Sequence, residues 1–141
     1  MLLVKPRYLV GLALVALSQT NLDEAESFVH QARQFIEERA MRDQYPLVEL
    51  TEGQVKALRG EMQQSLQHFT RAEEQALAME MRPTVRKARL EAAKVLSKMG
   101  LETEAEIKLR AAHEMLEEMA SFFQNEELRA LFLENEQIGR V

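Results

Sequence analysis

Residues 53–72, GQVKALRGEMQQSLQHFTRA, decide the fold because they carry the middle copy of a pattern that occurs three times. Its defining residues are Gly53, Gly60, Ser65, Phe69 and Ala72. Positions forty residues earlier and forty residues later carry the same kinds of side chain. They are Ala13, Thr20, Ala25, Val29 and Ala32 in the first copy, and Ala93, Gly100, Ala105, Leu109 and Ala112 in the third. Self-similarity at a fixed period indicates a repeat architecture.

Each copy is predicted to form two helices joined by a tight turn. The first helix ends near Gly60 or Gly100, because glycine readily adopts the left-handed conformation that closes a helix. The second helix begins at once, as at Asn21, which is a favourable N-cap residue. Small and apolar residues then recur every three or four positions and form one stripe. The predicted helices are 6–18, 22–40, 46–59, 62–81, 84–99, 102–121 and 124–134.

The composition agrees with an all-helical protein. Strong helix formers such as Ala, Leu, Glu, Gln and Arg are plentiful, and aromatic residues make up only 6% of the chain. A length of 141 residues is sufficient for one domain and short for two. We therefore predict one all-α domain over residues 1–141, with repeats at about 6–40, 46–80 and 86–120 and a capping helix at about 124–134.

The recurring columns resemble the tetratricopeptide repeat, whose motif places small, turn and large apolar residues in this order. The resemblance implies a right-handed α–α superhelix of three helical hairpins closed by a C-terminal capping helix. The period differs, since it is forty here and about 34 in that family, so each second helix is longer. The aromatic residue expected near position four is replaced by Leu9, Glu49 and Arg89, and Glu52 stands at an apolar position.

Repeats of this length are similar to the C-terminal arrays of large bacterial signalling proteins: nucleotide cyclases, regulatory ATPases and regulators of the maltose-activator type. Residues 128–133, LRALFL, resemble the helix that often closes such chains. The resemblance covers about residues 7–135 and implies a cytoplasmic, non-catalytic scaffold that binds protein partners. Two alternatives stay open. One is a small-molecule sensor, and the other is an exported assembly factor if residues 1–18 are a signal peptide.

The opening apolar stretch, residues 8–18 (YLVGLALVALS), admits two interpretations. A basic start, an apolar run and small residues at its end are typical of a secretory signal peptide. The stretch also keeps the forty-residue register through Ala13, which favours the first helix of repeat one. A helix that is apolar nearly all round is usually buried. We therefore expect that residues precede Met1 in the natural protein, or that two copies form a homodimer through residues 8–18.

The remaining composition excludes several function classes. A net charge of −5 provides no basic field for nucleic acid, and the absence of cysteine excludes disulfides and thiolate metal sites. Past residue 20 no apolar run approaches the roughly 18 residues of a membrane span. No nucleotide-binding or nucleophile motif occurs, and the histidines, of which His68 and His113 are expected near solvent, lack metal-ligand spacing. We expect no enzyme activity, no catalytic residues, no metal and no cofactor.

Tetratricopeptide arrays usually contact ligands through the first helix of each hairpin, so the resemblance implies a partner-binding face there. Carried over residue by residue, this face includes Arg7, Leu47, Thr51, Gln54, Leu58, Lys87, Glu91, Lys94 and Lys98. The predicted helix 84–99 is basic and the predicted helix 102–121 is acidic. Either these two helices pair their charges across the surface, or Lys87, Lys94 and Lys98 bind an acidic peptide or a terminal carboxylate.

Overall fold

A computed structural model describes residues 5–123 and 125–138 of the chain. Across these residues it contains seven α-helices: α1 (Lys5–Ser18), α2 (Leu22–Arg39), α3 (Tyr45–Leu58), α4 (Met62–Ala78), α5 (Arg82–Lys98), α6 (Glu102–Ala120) and α7 (Glu126–Ile138). A short 3-10 turn, Arg42–Gln44, precedes α3. The described part has no strand, so the all-α prediction is confirmed. Each helix lies within a few residues of its predicted bounds, although the predicted start of the last one, residue 124, lies outside the described residues.

The helices pack as successive neighbours. Three hairpins form from α1 with α2, α3 with α4, and α5 with α6, and each hairpin packs on the next through α2 with α3 and α4 with α5. The predicted solenoid of helical hairpins is therefore present, and α7 lies loosely against α6 at its end. None of the described helices combines the length and the apolar character that crossing a lipid bilayer requires.

Five turns between α1 and α6 share one backbone geometry. Their central residues, all with φ between +51° and +81°, are Thr20, Ala40, Gly60, Glu80 and Gly100. The amide of each central residue donates to the carbonyl three residues back, and the next amide donates to the carbonyl five residues back. These are Schellman caps, which close a helix through a left-handed residue. The predicted turns at residues 60 and 100 are confirmed, and the structure adds equivalent turns at 40 and 80.

The predicted N-cap at Asn21 is also confirmed. Its Oδ1 accepts a hydrogen bond from the Glu24 amide at 3.2 Å, and its Nδ2 donates to Glu24 Oε2 at 2.7 Å. The reciprocal bonds satisfy an amide that the first turn of a helix leaves without a partner. They fix the start of α2 directly after the left-handed turn that ends α1.

The small columns form the contact surfaces between helices. Residues at most 2% exposed occupy these columns: Ala25, Ser65, Ala105, Ala32, Ala72 and Ala112. Phe69 is buried because Gly53 leaves room for it; a Cβ on Gly53 would lie 2.5 Å from Phe69 Cε1. Leu109, in the same column as Phe69, is 49% exposed. The difference arises because α5 covers Phe69, whereas α7 leaves Leu109 open.

Candidate partner-binding surface

The first helices of the three hairpins lie side by side and enclose a groove of about 350 Å³, which we call the first-helix groove. It is lined by Leu14, Leu17 and Ser18 of α1, by Gln54, Ala57 and Leu58 of α3, and by Glu91, Lys94, Val95 and Lys98 of α5. Leucine, alanine and valine side chains supply apolar contact area. The lysines bring positive charge to one side of it.

Five of the predicted face residues meet in this groove: Gln54, Leu58, Glu91, Lys94 and Lys98. These residues lie on α3 and α5, which are equivalent helices forty residues apart in the sequence. The packing of α3 against α5 brings them together. The prediction also extends to Lys87, which lines a neighbouring cavity formed by α5, α6 and α7. Residues that were related only by their positions in a periodic motif therefore lie on one continuous surface in the structure.

Three predicted face residues lie elsewhere. Arg7 is exposed at the start of α1. Leu47 is half-buried against the apolar cluster between the first and second hairpins. Thr51 is buried, and its hydroxyl donates to the Leu47 carbonyl at 2.9 Å, so it presents no polar group to the groove. Position six thus differs between copies, since Thr51 is buried in repeat two whereas Glu91 lines the groove in repeat three.

The lysines of the groove are available to an anion. Lys94 Nζ contacts Glu91 Oε1 at 3.1 Å, but the Lys94 side chain is 67% exposed and this ion pair spans one helical turn. Lys87 and Lys98 form no ion pair within the part of the chain that the structure describes. An exposed ion pair of this kind contributes only about 0–1 kcal/mol, so a ligand carboxylate can compete for Lys94.

The charges of α5 and α6 pair across the surface at one point among the described residues. Arg82 Nε lies 3.2 Å from Glu118 Oε1. The other arginines of α5 reach different helices, since Arg89 contacts Glu73 on α4 and Arg86 contacts Glu136 on α7. The hypothesis of mutual charge pairing therefore accounts for Arg82 and leaves the lysine stripe unexplained.

Two further cavities, of about 520 Å³ and 510 Å³, lie at the end of the stack, and together we call them the end groove. Lys94 and Leu109 line both of them, and Glu136 of α7 closes one side of the larger. Leu109 and Glu136 were not predicted from the sequence as surface residues. The forty-residue pattern itself could have indicated that Leu109 is exposed. An apolar residue of this column is buried only where a further helix covers it, and Leu109 belongs to the last copy of the pattern.

A polar cluster stands between the first two hairpins, and we call it the first junction cluster: Arg33, Glu49, Glu52 and His68. Glu49 is buried and the other three are half-buried. Arg33 Nη1 donates to Glu49 Oε1 at 3.0 Å, and its Nη2 donates to Glu52 Oε2. His68 Nδ1 lies 2.7 Å from Glu49 Oε2, and the imidazole N–H donates because a carboxylate only accepts. The expectation that His68 faces solvent is wrong, since its side chain is only 13% exposed. His113 is exposed as expected.

The environment of this cluster perturbs two ionisable groups. Burial by itself raises the pKa of Glu49, but the hydrogen bond from His68 and the charge of Arg33 outweigh it, and the pKa of Glu49 lies below its ordinary value. Burial lowers the pKa of Arg33, whereas Glu52 and Glu49 raise it by more, so the pKa of Arg33 lies above its ordinary value. Both groups are therefore charged at neutral pH.

Glu49, Glu52 and His68 also satisfy the distance requirement for a shared cation, since one ligand atom of each lies within 4.8 Å of the others. The carboxylates are already bound by the Arg33 guanidinium. A divalent cation would have to displace Arg33 and leave its charge partly buried, which is unfavourable. The donor set fits an internal ion-pair network better than a metal centre.

A second polar cluster, the second junction cluster, occupies the equivalent place between the second and third hairpins: Glu73, Arg89 and Lys108. Arg89 Nε donates to Glu73 Oε1 at 3.2 Å, and its Nη1 donates to the Ala111 carbonyl at 3.0 Å. Lys108 Nζ reaches the same Glu73 oxygen at 3.4 Å. Glu49 and Arg89, which interrupt the aromatic position of the repeat motif, are thus the polar contacts between hairpins.

No protein-family model, no curated protein and no solved structure matches this chain. The tetratricopeptide resemblance therefore stays a prediction from the repeat columns. The role of the chain is therefore inferred from the groove, its lysines and the two junction clusters.

Proposed function

We propose that this chain is a non-catalytic, tetratricopeptide-like interaction module that binds an acidic segment of a partner protein in the first-helix groove. We further propose that it serves as a scaffold or regulatory region of a larger bacterial signalling or transcription-regulatory protein in the cytoplasm. The observation that carries the proposal is the position of Lys94 and Lys98 beside apolar groove residues from all three hairpins. A ligand that combines carboxylates with apolar side chains matches this surface.

The spacing of the two lysines defines the expected ligand motif. Lys94 and Lys98 are four residues apart on α5 and so project from one face about 6 Å apart along the helix axis. In an extended peptide, side chains two residues apart lie on one side and about 6.6 Å apart. A segment with two acidic residues separated by one residue, flanked by leucine, therefore presents its carboxylates at the right interval.

The polar chemistry of the interior supports a binding role over a catalytic one. The carboxylates and the imidazole of the first junction cluster bond to one another and to Arg33. They lie between packed helices rather than in the groove. A general acid or base has to reach a substrate proton, and these groups are engaged in holding two hairpins together.

The test is a titration of fluorescein-labelled Leu-Glu-x-Glu-Leu peptides, followed by fluorescence anisotropy. The charge-reversal variant Lys94→Glu/Lys98→Glu is expected to lose affinity by more than roughly tenfold, which corresponds to about 1.4 kcal/mol. The control variant Arg71→Glu/Arg110→Glu changes net charge equally at exposed residues outside both grooves. It is expected to bind like the wild type, and added salt is expected to weaken binding.

Equal binding by wild type and the Lys94→Glu/Lys98→Glu variant would refute the proposal. A second candidate function, the small-molecule sensor, is favoured by the end groove, because its two cavities fall within the roughly 300–1,000 Å³ of ordinary ligand pockets. Ligands that raise the melting temperature without competing with the peptide, and that lose this effect on Leu109→Glu, would support the sensor.

A further inference from the structure

One face of α1 lacks the cover that its counterparts have in the other hairpins. Tyr8 and Val15 are 62% and 54% exposed. The residues forty and eighty positions later are at most 3% exposed: Val48, Val55, Ala88 and Val95. Those four pack against the second helix of the preceding hairpin, α2 or α4. Tyr8 and Val15 therefore belong to a contact surface of the repeat whose partner helix is missing among the described residues.

Gly11 lies between them on the same face. A Cβ built on Gly11 would meet no atom within 4 Å, so packing inside the chain gives no reason for glycine there. Glycine in the middle of a helix is unfavourable because it loses more backbone freedom on folding than alanine does. The glycine brings an advantage if a second helix approaches α1 closely at this point.

The absence of charge from residues 8–18 of α1 indicates which helix can cover it. Residues 8–18 contain no charged side chain, and α1 has no acidic residue in its first turn and no basic residue in its last. The outer face of α6, which surrounds Leu109, instead carries exposed polar groups such as Glu106 and His113. Covering α1 with α6 of another molecule would desolvate those groups without pairing them, whereas a second α1 brings no charge to bury.

The ends of α1 favour one orientation. Arg7 stands in the first turn, beside the positive end of the helix dipole, where a cation is unfavourable. In an antiparallel pair of α1 helices, each Arg7 lies near the negative C-terminal end of the other. The antiparallel arrangement also places Tyr8 of one copy opposite Val15 of the other, with the two Gly11 residues near the centre, where the helices approach most closely.

We propose that two copies of this chain form a closed two-fold dimer through the antiparallel pairing of their α1 helices, with Tyr8, Gly11 and Val15 at the contact. This inference is independent of the proposed peptide binding, since none of these residues lines the first-helix groove. Two 14-residue helices are each about 21 Å long. We expect a contact between helices this short to bury less than the roughly 1,200 Å² of a stable interface, so the dimer is expected to dissociate in the micromolar range.

Sedimentation velocity of the full chain across the micromolar range tests the dimer. The wild type is expected to change from monomer to dimer and to stop there. Val15→Glu is expected to shift the dissociation constant upward by at least about tenfold, since it buries unpaired charge. Leu77→Glu is the matched control: it places the same charge on an exposed apolar residue of α4 and should dimerise normally. A monomeric wild type, or a dimer that Val15→Glu leaves intact, would overturn the proposal.

The absence of cysteine from the chain makes the orientation testable by crosslinking. A mixture of Tyr8→Cys and Val15→Cys proteins, treated with a short bifunctional thiol reagent, is expected to give mainly mixed dimers. Each variant alone is expected to crosslink weakly. Strong crosslinking of each variant with itself would indicate parallel helices and overturn the antiparallel model. Open-ended growth that Leu109→Glu abolishes would indicate head-to-tail stacking through α6 and overturn it as well.

Discussion

The two junctions between hairpins use the same positions of the repeat with opposite charges. At the first, Arg33 on α2 contacts Glu49 on α3; forty residues later, Glu73 on α4 contacts Arg89 on α5. Both junctions thus have an ion pair at this place, with the charges exchanged between the two helices. The alternation also specifies which hairpins stack, because hairpin three placed on hairpin one would bring Arg33 against Arg89. Like charges in a desolvated contact disfavour that arrangement.

The apolar parts of the two junctions differ in the size of their side chains. The first packs Val29 of α2 with Val48 and Val55 of α3. The second packs the larger Phe69 with Ala88 and Val95, so that alanine replaces valine at the first of the two facing positions. The larger residue on α4 is thus accompanied by a smaller residue at one facing position of α5. Interiors are close-packed, and such exchanges are tolerated when total volume is conserved.

The largest effect is expected from reversing a charge at the first junction. Arg33→Glu places a third carboxylate beside Glu49 and Glu52 and should destabilise the fold by about 3–5 kcal/mol, the range for a broken buried ion pair. The double variant Arg33→Glu/Glu49→Arg recreates the polarity of the second junction and should recover most of that loss. Urea unfolding followed by circular dichroism measures both.

The same exchange of charges at the second junction tests whether the two ion pairs contribute equally to stability. Glu73→Arg should cost less than Arg33→Glu, since the partner left beside a like charge is 18% exposed at the second junction (Arg89) and 5% exposed at the first (Glu49). Glu73→Arg/Arg89→Glu should again recover stability. If the double variants were no more stable than the singles, the ion pairs would not be the determinant of either junction.

Enlarging Gly53 should destabilise the protein by about 1–3 kcal/mol, the usual cost of overpacking a core. A Cβ there would meet the Phe69 ring, which is enclosed by α5 and cannot move aside. Phe69→Leu in the Gly53→Ala background imitates the Ala93 and Leu109 pair of repeat three and should cost less than the sum of the single changes. A double-mutant cycle by urea unfolding measures the coupling; strict additivity would contradict the packing argument.

Acid should weaken the first junction through Glu49. The pKa of Glu49 is lower in the folded chain than its ordinary value of 4.5, so its contribution is complete above that value and is lost as pH falls through the folded pKa. Glu49→Gln should be less stable than wild type by about 2 kcal/mol at pH 7, and the gap should close below about pH 4.5. A gap that is the same at pH 7 and pH 3 would contradict this assignment.

The smallest effect is expected at the turns, where the two junctions are alike. Ala40 and Glu80 have φ of 51° and 56°, a conformation that glycine adopts without strain. Ala40→Gly and Glu80→Gly should each stabilise the chain by about 0.5 kcal/mol, the net of relieved strain and lost backbone entropy. Thermal melts detect this as a small upward shift. A loss of stability at either turn would show that its side chain contributes more than its backbone strain.

The local features of the fold were predictable from particular residues. Asn21 begins α2, and Gly60 and Gly100 end α3 and α5, because caps act through hydrogen bonds between residues three to five apart. The turns at Ala40 and Glu80 were not predicted, since neither residue favours a left-handed conformation. They become visible only when the forty-residue period is recognised as two units of twenty.

The candidate surface was predictable in part. Gln54, Leu58, Glu91, Lys94 and Lys98 share the first-helix groove as the repeat motif predicts. Thr51 does not, because the stacking of first helices buries it. Leu109 became part of the surface because α7 does not continue the stack closely. Each departure depends on how one hairpin meets the next, which sequence periodicity does not specify.

By itself, the sequence determined the helices of the three hairpins, the turn inside each hairpin and the pairing of small with large columns, since these follow from contacts within one repeat and recur every forty residues. Tertiary structure alone decided which charges meet. Glu49 interrupts the repeat motif in the sequence, and only the fold brings Arg33 and His68 to it from neighbouring helices. Tyr8 and Val15 occupy core columns of the repeat, yet no described helix covers them. Both outcomes depend on groups distant in sequence, whose energies arise only when packing removes water from between them.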